Sequence, residues 1–169
     1  MADLADAVRT KIMDAFADAP YPGDDNLVVN QSGQDPECRE IAAAFVSKRW
    51  EDVSPDMLRE HAQALPIFTP SAFRYYLPAY MIASIDPGPE GETLRDLATF
   101  NLTPPRSDRA WRSGFFDSRS SQFTAAEKGA IRSFLEWVEA SRRAAWETQG
   151  LTPPLSEIAA AIEYWGPSR

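Results

Sequence analysis

Three helix starts in this chain set a residue with a short side-chain acceptor directly before a proline: Asp35-Pro36, Ser54-Pro55 and Thr69-Pro70. Each pair is followed by apolar residues spaced three and four apart. An oxygen at the N-cap satisfies an orphan N–H of the first turn, and proline fits the first helical position because its missing donor is not needed there. Thr124-Ala-Ala-Glu127 adds a capping box, in which the threonine and glutamate side chains satisfy each other's backbone donors. Thr152-Pro153 offers a further start. Signals this dense leave little room for strands and predict an all-α fold of six or seven helices.

The periodicity places the helices. Leu4, Val8, Ile12 and Ala15/Phe16 make one apolar face over 3–18, which Pro20, Pro22 and Gly23 terminate. Leu27-Val28-Val29 is the nearest approach to a β-segment. Cys38, Ile41, Ala42 and Phe45 form the buried side after Asp35. Met57, Leu58, His61, Ala62 and Leu65 do so after Ser54, and Ala72, Phe73, Tyr76, Leu77, Tyr80 and Met81 after Thr69. Pro78 interrupts the last pattern, so a kink is expected there. A short helix is expected over 92–100. Ile131, Phe134, Leu135, Val138, Ala145 and Trp146 line a long helix closed by Gly150. Leu155, Ile158, Ala159, Ile162 and Trp165 mark a final helix beginning at Thr152-Pro153. Residues 106–123 show no clear period and read as a long ordered connection.

At 169 residues the chain is the size of one domain, 1–169, large enough to bury a core without a disulfide or a metal. Its start lacks the basic head and apolar stretch of a signal peptide, and no apolar run is long enough to span a membrane. A cytoplasmic location is the expectation.

Charge is unevenly spread. Residues 1–100 carry 17 acidic and 8 basic side chains, a net of −9, while 101–169 carry 8 acidic and 9 basic, a net of +1. Nucleic-acid binding needs a concentrated basic face, which the first 100 residues do not offer. A basic protein partner suits them, although acidity serving solubility alone explains the same numbers. Arg106, Arg109, Arg112 and Arg119, interleaved with Trp111, Phe115 and Phe116, have the composition of a single-strand binding surface. Pairing of these arginines with the acidic half explains them as well.

No catalytic constellation, cofactor fingerprint or metal motif is identified. GxGxxG, GxxxxGK[ST], GxSxG and HExxH are all missing. The only histidine, His61, falls on or near a buried stripe. The only cysteine, Cys38, lies where a helix dipole would lower its pKa, yet on the apolar spacing of a core residue. The acids Asp24, Asp25, Glu37, Glu40, Glu51 and Asp52 are candidates for partner contact. Asp24-Asp25-Asn26 after Pro-Gly is equally a natural turn. On the helix pattern Arg74 and Tyr75 point outward, which makes them candidate interface anchors.

PYPGDDNLV (20–28), AAAFVSKRWEDVSPDML (42–58), LPIFTPSAFRYYLPAYM (65–81) and AIRSFLEWV (130–138) together resemble a family of small bacterial proteins classed as a domain of unknown function. The resemblance implies no activity, cofactor or catalytic residue. For small acidic bacterial proteins of this kind, an immunity role toward a toxin is an expectation of class. The leading functional expectation is a non-enzymatic acidic binding protein, immunity- or antitoxin-like, that occludes a basic partner. The alternatives are a small hydrolase or metal-dependent enzyme using His61 with carboxylates, and a homodimer burying Trp and Tyr surface.

Overall fold

The computed structural model describes residues 2–30, 34–86, 88–105, 110–153, 156 and 158–166. Among these the fold is all-α: α1 (Ala2–Phe16), α2 (Pro36–Phe45), α3 (Pro55–Glu60), α4 (Pro70–Ile85), α5 (Pro89–Leu102), α6 (Ala110–Ser120), α7 (Ala125–Thr148) and α8 (Ala159–Tyr164). Single 3-10 turns stand at Asp24–Asn26, Trp50–Asp52 and Ala62–Ala64. The Leu27-Val28-Val29 segment makes one isolated antiparallel bridge, Val28 to Phe68.

The caps act as their residue types dictate. Asp35 accepts from the N–H groups of Glu37 and Cys38, Ser54 from Met57 and Thr69 from Ala72. Both halves of the Thr124–Glu127 box are formed. Gly150 follows α7 at φ 70°, and Leu151 N–H returns to the Trp146 carbonyl at 3.0 Å, so the helix ends in a Schellman turn that a side chain at position 150 would strain.

Around α4 the rest is assembled. All of its 16 residues except Pro70, Ser71, Arg74 and Ile82 are buried, and the helix runs on through Pro78. A helix apolar on every side must be surrounded: α5, α1, α6 and α3 pack against it, and α7 closes over α1. Phe68 and Tyr76 stack at 5.2 Å, and Phe45 from the end of α2 meets both edge-on at 5.0 and 4.8 Å.

Several expectations need correction. Residues 110–120 form a helix, α6, rather than a connection. Leu4 is exposed, as are Ala145 and Trp146, so the first turn of α1 and the last turns of α7 do not enter the core. The third helix stops at Glu60, where the non-helical His61 caps it and a 3-10 turn takes over. The last helix starts at Ala159 rather than Thr152, and Leu155 lies outside the described residues.

Candidate functional site

The turn that follows α1, the whole of α2 and the turn after it form one end of the molecule, where most of the candidate residues collect. Asp24 is exposed, yet its carboxylate organises the neighbourhood. Tyr21 donates its hydroxyl to Oδ1 at 2.5 Å, Ser47 N–H donates to the same oxygen at 2.9 Å, and Ser47 Oγ donates to Oδ2 at 3.1 Å. The Tyr21 hydrogen bond, then the Ser47 N–H, hold the Asp24 carboxyl below its usual range. Partial burial, reinforced by that carboxylate, pushes the Tyr21 hydroxyl up. Ser47 sits at φ 55°, a left-handed conformation uncommon for a non-glycine residue, and its N–H also lies 2.9 Å from Tyr21 Oη.

Behind this network stand the tyrosines of α4. Tyr75 is 6% exposed, its ring edge-on to Tyr21 at 5.3 Å and to Tyr76 at 4.9 Å. Tyr76 Oη lies 2.8 Å from the Phe45 carbonyl and 2.9 Å from that of Lys48, which fixes the loop carrying Ser47. Burial raises the pKa of both hydroxyls.

Between the Asp24–Asn26 turn and the first half of α2 runs an open groove of about 370 Å³. It is lined by Asp24, Asp25, Leu27, Val28, Asn30, Cys38, Arg39 and Ala42. Asp25, Glu37, Glu40 and Asp52 are exposed and form no ion pair among the described residues. Glu51 pairs with Arg49 at 2.9 Å on the same face. Arginines of the later segment do not cancel this field: among the described residues only Arg142 reaches back to an acid of the first hundred, Asp96 on α5.

Two expected anchors are occupied inside the fold. Tyr75 does not point outward, because α4 is enclosed on nearly every side. Arg74 is spent on Glu127 of α7, through Nε at 3.0 Å and Nη2 at 2.9 Å. Arg119 is not a surface residue, and it pairs with no acid among the described residues. It is 3% exposed, lies over the rings of Phe73 (4.5 Å) and Phe115 (3.9 Å), and donates to the carbonyls of Pro66 and Phe68 at 2.9 and 2.8 Å. Desolvation lowers its pKa to about 10. Arg106 and Arg109 lie outside the described residues, as do the side chains of Trp111 and Arg112.

His61 is half-buried with its ring edge-on to Phe45 at 5.9 Å, and its carbonyl accepts from Tyr80 Oη at 2.8 Å. Cys38 is buried, and desolvation, aided by the nearby Asp35 and Glu37 carboxylates, pushes its thiol up rather than down. Among the described residues, no group of three or more His, Cys, Asp or Glu side chains is arranged to hold a metal ion, and no helix is long and apolar enough to cross a membrane.

A family model described as a family of unknown function, DUF6714, matches residues 5–169. The chain belongs to that family. No curated protein and no solved structure matches it. In this DUF6714 member the PYPGDDNLV segment supplies Tyr21, Asp24 and Asp25. The AAAFVSKRW segment supplies Ala42, Ser47 and Arg49, so two of the family-like stretches converge on one end of the fold. Tyr21, Arg39 and Ser47 were not singled out from sequence. Only the Tyr21–Asp24 spacing carried a local signal; the Ser47 contact arises from packing of α2 against the turn.

Proposed function

We propose that this protein is a non-enzymatic binding protein whose acidic end, around the Asp24–Asn26 turn, α2 and the Trp50–Asp52 turn, engages a basic protein partner. The observation that carries the reading is that Asp25, Glu37, Glu40 and Asp52 stand exposed and form no ion pair among the described residues. Asp24 beside them is held ionised by donated hydrogen bonds. Unpaired surface charge does little for stability, but it steers association and selects the sign of the partner. The acids serve as the charged rim, while Arg74 and Tyr75 have structural duties and take no part in contact.

The most concrete form of the reading is an immunity- or antitoxin-like protein that covers a basic toxin surface. Co-expression with the product of the adjacent reading frame tests it. The reading expects a stable complex, with relief of any toxicity, and expects both to weaken in Asp25→Lys/Glu40→Lys. A complex insensitive to that double variant, or the failure of any protein partner to bind, would overturn it.

A further inference from the structure

Resting on that reading, we propose that the groove between the Asp24–Asn26 turn and α2 is the seat of one arginine side chain of the basic partner. The groove is not merely acidic. Its floor is apolar, made by Leu27, Val28, Cys38 and Ala42, and its outer wall ends in the carboxylates of Asp24 and Asp25. A floor of that kind takes the methylene stem of a long cationic side chain, whose charged head keeps to the polar mouth. Arginine fits better than lysine, because a planar guanidinium meets carboxylates through parallel donors and is weakly hydrated.

Two features orient the occupant. Asp24 is pinned by Tyr21 at Oδ1 and by Ser47 at both carboxylate oxygens, so it does not have to be ordered when the guanidinium arrives. Arg39 stands on the α2 side of the same groove and has no ion pair among the described residues. Its positive charge disfavours a cation on that side and directs the guanidinium to the Asp24–Asp25 wall. Filled, hydrophobically floored pockets with a charged rim are where interface energy concentrates, and arginine is among the residues that fill them.

The test uses Nα-acetyl-arginine amide as the probe and its citrulline counterpart, a near-isosteric neutral control, read by backbone amide shifts of the full chain. The proposal expects saturable shifts confined to residues 24–28 and 38–42 with the arginine probe, and none with citrulline. Ala42→Phe, which fills the floor and leaves every carboxylate in place, is expected to weaken the probe at least about tenfold. Asp25→Asn, an exposed change that cannot unfold the chain, is expected to weaken it about threefold. Equal shifts with citrulline, shifts elsewhere, or parent-strength binding in both variants would overturn the groove as the seat. A folded Ala42→Phe protein that keeps salt-dependent binding to its protein partner would sink the groove proposal and leave the acidic-face reading standing. Arginine binding in the groove without any protein partner would keep the groove as a guanidinium site and overturn a protein partner as the source of its occupant.

Discussion

Glu127 and Arg74 lie 53 residues apart in the chain and meet through three hydrogen bonds of 2.9–3.0 Å, with the glutamate side chain only 2% exposed. The same carboxylate also accepts the Thr124 N–H at 2.7 Å, so one side chain caps α7 and ties it to α4. Removing either partner leaves the other charge buried and alone, a change that costs about 3 kcal/mol or more in comparable pairs. Glu127→Gln and Arg74→Met are each expected to lower stability by about 3 kcal/mol in urea unfolding. A double-mutant cycle should show that the two losses do not add. Losses under about 1 kcal/mol, or additive ones, would mean the pair is not the tie described.

Arg119 is the second internal fastening. It reaches from α6 to the two carbonyls that precede α4 and has no carboxylate partner among the described residues. Arg119→Met keeps much of the apolar stem but leaves the Pro66 and Phe68 carbonyls unpaired, so a loss of about 2 kcal/mol is expected. Arg119→Lys should recover only part of it, because an ammonium lacks the planar stacking on Phe73 and Phe115. Full recovery by lysine would contradict the geometry.

Thr69 illustrates what the sequence showed and what it hid. Its capping role was legible, and the structure adds a hydroxyl donated to the Asn26 carbonyl at 2.7 Å, which holds the Asp24–Asn26 turn against α4. Thr69→Ala should cost about 1–2 kcal/mol, more than Ser54→Ala, because one hydroxyl serves two contacts. Equal losses at the two caps would count against the second contact.

The helices with good caps were readable because capping is local chemistry. Helix α6 was not readable, and the reason is specific. Among the residues whose burial is described, its inward register runs into the following turn as Phe116, Arg119, Ser120 and Phe123, so two of these four positions are polar and the apolar period is broken. Phe115, by contrast, is exposed at 39% and adds an apolar signal on the wrong face. The outward placement of Arg74 and Tyr75 failed for the opposite reason: on a helix buried all round, the pattern has no wet face to identify. Of the candidate site, the exposed acids were legible as charge. The Ser47 contact and the groove exist only once α2 packs on the turn.

The Asp24 network makes a pH prediction. Its carboxyl is depressed in the fold, so whatever the network contributes is present above the ordinary value of 3.8 and is lost as pH falls through the lower folded value. The Ser47 amide shift should therefore titrate with a midpoint below 3.8, and Tyr21→Phe, which removes the largest contributor, should move that midpoint upward. A midpoint at or above 3.8 in the parent protein would contradict the hydrogen bonding described.

The account turns on whether the uncancelled carboxylates at the α2 end are the working surface. The direct measurement is the association rate with the protein partner as ionic strength rises, for the parent chain, for Asp25→Lys/Glu40→Lys, and for a control pair of reversals on α7, Glu136→Lys and Glu147→Lys. The account predicts a rate that falls steeply with salt, is strongly reduced by the α2-end pair, and is little changed by the control. A salt-independent rate, or equal losses from the two pairs, would contradict it.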